Sequence, residues 1–123
     1  MADLTLLCRT ATTFKKDGSL DEKAQRKFLQ RLVDQKLGMY LNSAGSGEGH
    51  ALTKQELKRV YEIGVEVGKG KVQVNANPPE QHTARNIREQ NQIAIDAGVD
   101  MVNVYGPASW HGYRPTDDEY FAY

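Results

Sequence analysis

The sequence has 123 residues, and its 16 lysines and arginines balance 16 aspartates and glutamates, so the formal net charge at pH 7 is zero. This balance argues against a nucleic-acid-binding protein, which usually carries a basic excess, and the short apolar runs argue against a membrane-spanning helix. The hydrophobic fraction of 39% is ordinary for a folded chain, and the length allows one domain.

Cysteine content and the first residues indicate the compartment. Cys8 is the only cysteine, so no intrachain disulfide can form, and its place at the end of an apolar segment predicts a packing role. The first four residues lack the basic start and apolar stretch of a secretory signal peptide. We therefore expect a cytoplasmic protein whose partners are small molecules or like subunits.

Short apolar segments alternate with amphipathic ones along the chain, beginning with an apolar strand at residues 4–8. Ser19 and Glu22 have the spacing of a capping box, which predicts the start of a first helix with an apolar stripe. Gly38 is expected to end that helix in the left-handed conformation, and residues 39–41 then form a short buried strand.

The same order of elements then recurs. The predicted helix starts are Thr53 with Glu56, Thr83, and Thr116 with Glu119. The second helix ends at Gly68 and Gly70, and the third ends at Gly98. Strands at residues 71–75 and 100–104 follow these two helices.

Strand beginnings near residues 4, 39, 71 and 99 recur at about 30-residue spacing, which indicates right-handed crossovers and a parallel sheet. An open doubly wound sheet and a (β/α)8 barrel both fit this order. Every segment that follows a strand is polar, whereas the segments before strands are short, and this asymmetry favours the barrel. Because such a barrel needs roughly 250 residues, residues 1–123 are interpreted as the N-terminal half of a single TIM-barrel domain, with about four of its βα units.

The most informative stretch is residues 43–49, directly after the second strand. Its three glycines alternate with other residues, so backbone amides can turn toward an anion, and Ser46 adds a hydroxyl donor. This pattern indicates a cradle for a carboxylate or phosphate, with a plain strand-to-helix turn as the alternative. A dinucleotide fingerprint would need a third glycine where His50 stands, and no Lys-Ser/Thr pair follows, so nucleotide binding is not favoured.

The other chemistry-bearing residues give weaker signals. His50, His82 and His111 lie in predicted loops, but no two of them have the spacing of metal ligands, so no metal site and no cofactor are predicted. Aromatic residues crowd the C-terminal part of the chain: Tyr105, Trp110, Tyr113, Tyr120 and Tyr123. They are expected to line a pocket or a subunit interface, or else to cover an open barrel mouth.

Five short segments occur in a characteristic order: Thr12-Thr13-Phe14, Asp17-Gly18-Ser19-Leu20-Asp21, Ala44-Gly45-Ser46-Gly47-Glu48, Leu52-Thr53-x-x-Glu56, and Ala97-Gly98-Val99-Asp100 with Pro107 after it. In this order they resemble the N-terminal half of the dihydrodipicolinate synthase / N-acetylneuraminate lyase family, over about residues 6–120. The resemblance implies a (β/α)8 barrel, a homo-oligomer (tetramer or dimer), and a lysine that forms a Schiff base with pyruvate or another 2-oxo acid. It implies no cofactor.

The resemblance also implies site residues. The family's Gly-Thr-Thr-Gly-Glu segment falls on residues 44–48, so Gly45, Ser46 and Gly47 are the candidate substrate-binding residues for the 2-oxo acid carboxylate. Gly45 lacks the hydroxyl that the family uses in a proton relay. The family has two tyrosines directly after the proline, one of which reaches a neighbouring subunit, and Tyr113 is the candidate substitute here.

The family places its Schiff-base lysine on the sixth strand and a partner tyrosine on the fifth, whereas this sequence ends in the fourth helix. We therefore expect a lyase or aldolase acting on pyruvate or a related 2-oxo acid, of which this chain holds the carboxylate-binding half without the nucleophile. Two alternatives remain open at this point. One is a non-catalytic half-barrel that self-assembles, because its edge strands and inner face lack partners. The other is a small flavodoxin-like module that binds phosphate or a nucleotide.

Overall fold

The computed structural model describes residues 5–106 and 114–123, and in them strands and helices alternate. The strands are β1 (Leu7–Arg9), β2 (Gly38–Leu41), β3 (Val74–Ala76) and β4 (Met101–Val102). The helices are α1 (Glu22–Asp34), α2 (Lys54–Gly68), α3 (Ala84–Ala97) and α4 (Asp117–Ala122), with a 3-10 turn at Gly49–Ala51 before α2. Each of these helices is too short or too polar to cross a lipid bilayer.

The four strands form one parallel sheet in the order β1-β2-β3-β4. Spatial order therefore equals chain order, as in a (β/α)8 barrel. A doubly wound sheet instead reverses direction at a switch point, and the flavodoxin-like order is 2-1-3-4-5. The alternatives of an open doubly wound sheet and a flavodoxin-like module are thus wrong for this chain, and the barrel prediction is confirmed.

One hydrophobic core joins α1, α2 and α3 to a single face of the sheet. Alternate strand residues point into it, and Met39, Leu41 and Val74 are fully buried there against Leu57 and Ile63. Cys8 is half-buried against this core, as its predicted packing role requires.

The opposite face of the sheet is the inner face, and it carries Leu7, Arg9, Tyr40, Asn75 and Met101. Among residues 5–106 and 114–123 nothing covers this face completely, since Leu7 is 37% exposed and Met101 is 54% exposed. A complete barrel would cover this face with the strands of its other half.

The helix caps agree with the sequence in three cases and differ in one. Capping boxes form at Thr53 with Glu56 and at Thr116 with Glu119, and Thr83 caps α3. The prediction for the first helix was wrong, because its cap is Asp21, whose side chain accepts from the amide of Ala24 at 2.9 Å. Leu20 pairs with Phe14 in an antiparallel bridge, and this extended segment prevents the helix from beginning at Ser19.

The role predicted for Gly38 was also wrong. The left-handed residue after α1 is Lys36, with φ of 56°, whereas Gly38 opens β2. A Cβ at Gly38 would lie 2.5 Å from Leu7 Cδ2 and 3.1 Å from the carbonyl oxygen of Gln73. Glycine is needed here because neighbouring strands approach closely, whereas Gly98, with φ of 87°, is the left-handed cap predicted for α3.

Candidate functional site

Polar residues from all four strands meet at the carboxyl ends of the sheet. Together they line the upper cavity, a space of about 350 Å³. Its lining residues are Arg9, Ser43, Ala44, Gly45, Asn77, Glu80 and Tyr105. Ligands of open α/β sheets and of barrels bind at this end of the strands, and the volume lies at the small end of the range for ligand pockets.

The segment after β2 folds back on itself and forms the serine-glycine turn, residues 43–47. The Ser43 and Ser46 hydroxyl oxygens lie 2.7 Å apart, and the Ser46 amide donates to Ser43 Oγ at 3.2 Å. The amide of Gly47 closes the turn by donating to the carbonyl of Ser43 at 3.0 Å. Ser43 is 3% exposed, so a buried hydroxyl organises the turn that the sequence predicted.

The glycines of this turn have different roles. A Cβ at Gly47 would lie 2.9 Å from both Asn42 Cα and the Ser43 amide nitrogen, so the close approach of two backbone segments requires glycine there. A Cβ at Gly45 would meet nothing within 4 Å. Gly45 therefore has room for a side chain.

Thr12 connects the turn to the segment after β1. Its buried hydroxyl donates to the carbonyl of Gly47 at 2.6 Å. The hydroxyl of its neighbour Thr13 donates to the carbonyl of Asp21 at 2.9 Å, and the Thr13 amide donates to Gln25 Oε1 at 2.9 Å, which anchors the same segment to α1. The Thr12-Thr13 motif thus has a structural explanation, because it holds the turn between two strand ends.

The three residues predicted to bind the substrate differ in their position relative to the upper cavity. Gly45 lines the upper cavity, Ser46 does not line it but contacts Ser43, which does, and Gly47 is buried. Binding of a carboxylate by these residues stays a prediction. Tyr113 lies outside the described residues, as does His111.

Sequence reasoning missed Arg9, Asn77 and Glu80 as cavity residues. A signal for Arg9 was present, because the period-two alternation of a strand puts it on the face opposite Cys8. For Asn77 the signal was its position directly after β3. Neither signal is specific, since polar residues at strand ends are common.

Several buried amide groups near the site lack partners within residues 5–106 and 114–123. They are Asn42 Oδ1, Asn75 Oδ1 and Asn77 Nδ2, on residues that are at most 1% exposed. Unpaired polar atoms are uncommon in protein interiors, because each loses its hydrogen bonds to water. Unpaired buried polar atoms also occur away from the strand ends, on Tyr61, Gln90, Asn91 and Tyr123, so these amides do not by themselves mark a ligand site.

A second space, the inner-face cavity of about 400 Å³, lies over the sheet below the strand ends. Arg9 lines both this cavity and the upper cavity. Burial raises the pKa of Tyr40 above its usual value of 10.0, the nearby Tyr105 adds to the rise, and the Arg9 guanidinium opposes it. Arg9, Tyr40 and Tyr105 therefore share one electrostatic environment.

No lysine lines either cavity in the part of the chain that the structure describes. Lys69 and Lys71 lie at the opposite end of the sheet, where they donate to the carbonyls of Gly98 and Val67. Among these same described residues, no three acidic, histidine or cysteine side chains come together as a metal site. His50 instead places its Nδ1 2.8 Å from the carbonyl oxygen of Ala44.

Residues 4–122 match the profile of the dihydrodipicolinate synthetase family. The chain is 35% identical over 96 residues to the 4-hydroxy-tetrahydrodipicolinate synthase of Brucella abortus, covering 78% of this chain and 32% of that one. It is 37% identical over 102 residues to a Methylobacterium radiotolerans protein named probable 5-dehydro-4-deoxyglucarate dehydratase, covering 83% of this chain and 33% of that one. It is 31% identical over 100 residues to the N-acetylneuraminate lyase of Clostridium perfringens, covering 77% of this chain and 33% of that one. The chain spans about a third of the length of these curated relatives.

Solved structures of this family superpose on the chain. A dihydrodipicolinate synthase family protein from Coccidioides immitis gives a TM-score of 0.82 at 22% identity, covering 96% of this chain and 37% of that one. The Escherichia coli protein YagE in complex with pyruvate gives a TM-score of 0.81 at 22% identity, covering 99% of this chain and 40% of that one. Identities this low show the fold alone. The family profile and the fold agree: the chain belongs to the dihydrodipicolinate synthetase family and forms the N-terminal part, about four βα units, of its (β/α)8 barrel.

Proposed function

We propose that the protein is a Schiff-base lyase or aldolase that acts on pyruvate or a related 2-oxo acid. The observation that carries this proposal is the serine-glycine turn, which lies at the carboxyl end of β2 and borders the upper cavity in a chain of this family. Within the proposal, residues 1–123 contribute the carboxylate-binding half of one barrel domain.

The turn has a hydrogen available for a carboxylate oxygen. Ser43 and Ser46 share one hydrogen bond, so only one of their two hydroxyl hydrogens is used between them. Whichever hydroxyl accepts in that bond keeps its own hydrogen to donate to a ligand. The amides of Ser46 and Gly47 are used within the turn, so the Gly45 amide is the backbone donor that the turn offers to an anion, and Gly45 has no side chain to obstruct it.

The proposed chemistry needs an amine that this site lacks among its described residues. In the proposal, a lysine from another part of a complete barrel attacks the carbonyl carbon of the 2-oxo acid, and water leaves as the imine forms. The cationic imine then accepts the electron pair when a bond at the neighbouring carbon breaks. The turn's role is to fix the carboxylate so that the carbonyl faces the amine.

The assembly and location belong to the same proposal. We expect a homo-oligomer, a tetramer or a dimer, as the family resemblance implies, and a cytoplasmic location, as the single cysteine indicates. Within the described residues, β1 and β4 have no strand partner on their outer sides, which supports association with further strands.

Borohydride trapping tests the proposed function. The complete protein is incubated with pyruvate, reduced with borohydride and analysed by mass spectrometry for a covalent adduct on a lysine. We expect an adduct in the complete protein and none on the 123-residue chain alone. Ser46→Ala should lower the yield at limiting pyruvate, whereas Ser19→Ala, at a partly buried serine in the turn before α1, should not. Absence of any adduct in the complete protein would contradict the proposal.

A second candidate is a non-catalytic half-barrel that assembles with another half. The observation that favours it is the open inner face, where Leu7 and Met101 are 37% and 54% exposed. Covering such apolar surface is favourable by about 25 cal/mol per Å². Sedimentation of the 123-residue chain tests it, because a stable monomer with a cooperative melting transition would refute this assembly.

A further inference from the structure

His50 holds the middle of the serine-glycine turn. It belongs to the 3-10 turn Gly49–Ala51, and its Nδ1 lies 2.8 Å from the carbonyl oxygen of Ala44. Because a carbonyl oxygen can only accept, Nδ1 carries the hydrogen and donates it. Within residues 5–106 and 114–123, no backbone amide donates to this oxygen, so the imidazole is its partner among the described residues.

The Ala44 carbonyl and the Gly45 amide belong to one planar peptide group. This peptide is trans, so its C=O and N–H bonds point in opposite directions, and the direction of one sets the direction of the other. Ala44 and Gly45 line the upper cavity, whereas His50 lines neither cavity. A carbonyl that points to the imidazole therefore leaves the Gly45 N–H pointing away from it.

The internal bonds of the turn do not fix the orientation of this peptide group. The amides of Ser46 and Gly47 donate within the turn, but neither bond includes the Ala44 carbonyl or the Gly45 amide. Reversal of a peptide group can place the residue after it at a positive φ, which glycine adopts at little cost. Gly45 does not have a positive φ in this structure, so the observed orientation is one of two that its backbone allows. The hydrogen bond from His50 favours the observed one.

We propose that His50 is a positioning residue of the carboxylate site: its bond to the Ala44 carbonyl fixes the Gly45 amide hydrogen toward the carboxylate of the bound 2-oxo acid. This inference rests on the proposed function for the identity of the ligand. A donor that is fixed before binding stabilises an anion without the cost of ordering that donor when the anion binds. Loss of the imidazole thus weakens binding of the 2-oxo acid, while the chain stays folded because His50 is exposed.

Borohydride trapping of the complete protein over a range of pyruvate concentrations tests this role. His50→Leu should raise the pyruvate concentration for half-maximal adduct yield about fivefold, because no hydrogen bond then selects the orientation of the Gly45 amide. His50→Asn should restore most of the affinity, because the asparagine amide nitrogen is bonded to Cγ, as Nδ1 is, and can donate in its place. Gln55→Leu, at an exposed position in the first turn of α2, is the matched control and should leave the half-saturating concentration unchanged.

The form of the saturation curve separates positioning from folding. A variant that only folded poorly would lower the maximal adduct yield and leave the half-saturating concentration of pyruvate unchanged. A changed maximal yield with an unchanged half-saturating concentration in His50→Leu would therefore overturn the positioning role. Failure of His50→Asn to restore the affinity would also overturn it.

A double-mutant cycle with Gly45 gives an independent measurement. In the Gly45→Ala background a positive φ is disfavoured, so the peptide group keeps its orientation without the imidazole. His50→Leu should then raise the half-saturating concentration by less than about twofold. An equal effect of His50→Leu in both backgrounds would contradict the proposed route through this peptide group.

The unmodified protein separates this inference from the proposed function. Adducts in every variant with one common half-saturating concentration would overturn the role of His50 and leave the Schiff-base function standing. If the unmodified protein forms no adduct, the Schiff-base function is contradicted, and calorimetric titration with pyruvate, which needs no lysine, tests His50 instead. Weaker binding by His50→Leu with recovery in His50→Asn would then support its role, whereas equal binding, or none, would overturn it.

Discussion

Thr12 donates a hydrogen bond to the carbonyl of Gly47 across 35 residues of chain, at 2.6 Å between Oγ1 and the oxygen, and both residues are buried. Parallel strands place the ends of β1 and β2 side by side, and this bond uses that adjacency to hold the serine-glycine turn. The serine-glycine turn thus depends on a residue that does not line the upper cavity.

Thr12→Val should remove this bond while nearly preserving the shape of the side chain. The carbonyl of Gly47 would then be buried without its donor, and we expect the free energy of unfolding to fall by about 1–3 kcal/mol. Urea unfolding followed by circular dichroism measures the change. Thr5→Val, at an exposed position near the other end of β1, is the matched control, and an equal loss in both variants would contradict the role of Thr12.

The two glycines of the turn make a matched pair for substitution. Gly47→Ala should destabilise the fold by about 1–3 kcal/mol, because its Cβ would meet the backbone of Asn42 and Ser43 at 2.9 Å. Gly45→Ala has open space and should be neutral or stabilising by up to about 1 kcal/mol, through loss of freedom in the unfolded chain. Unfolding of the two variants in parallel checks the difference, and the reverse order of stability would refute this assignment of roles.

The helix starts that were predicted correctly are those set by local sequence. The capping boxes at Thr53 and Thr116 need only a hydroxyl and a carboxylate three residues apart, and the apolar stripe of α2 needs only its own spacing. The same local signal failed at Ser19, since the Phe14–Leu20 bridge is a contact between segments that the capping pattern does not encode.

The candidate site was less predictable for a related reason. The glycine-rich turn is one continuous segment, so its pattern is visible in the sequence. Arg9 and Asn77 are 68 positions apart and come together only through the register that pairs β1 with β2 and β2 with β3. Strand order and register are tertiary facts, and they decide which polar strand-end residues share a cavity.

Asn42 combines a left-handed backbone, with φ of 60°, and full burial between β2 and the turn. Its Nδ2 donates to the carbonyl of Leu57 at 3.3 Å, which links the turn to α2. Asn42→Gly loses that bond but keeps the backbone freedom, whereas Asn42→Ala loses the bond and adds strain. We expect Asn42→Ala to be the less stable of the two by about 1 kcal/mol in chemical denaturation. Equal stabilities would show that the positive φ relaxes at little cost.

Arg59 of α2 pairs with three carboxylates, one on α1 and two on α2 itself. It donates to Glu22 at 2.8 Å and to Glu62 and Glu66 at 3.0 Å each, and Arg26 also pairs with Glu66. Arg59 lowers the pKa of Glu22 below its usual 4.5, and Arg26 together with Arg59 lowers the pKa of Glu66. The folded protein therefore favours the charged form of both glutamates.

The sign of the pH dependence follows from these lowered pKa values. The stabilisation of the fold by these ion pairs is fully present above pH 4.5, the usual pKa of a glutamate in the unfolded chain. It is lost as the pH falls through the lower pKa values of Glu22 and Glu66 in the folded protein. Because the carboxylates are nearly half exposed, Arg59→Met should cost only about 1 kcal/mol or less near neutral pH. Melting temperatures of both proteins between about pH 3 and 7 should converge at the acid end. Arg31 is an exposed arginine without an ion pair in the described residues, so the melting temperature of Arg31→Met should differ from that of the unmodified protein by the same amount at every pH. If the difference for Arg59→Met is also constant with pH, its cause is the packing of the aliphatic stem of Arg59 and not the ion pairs.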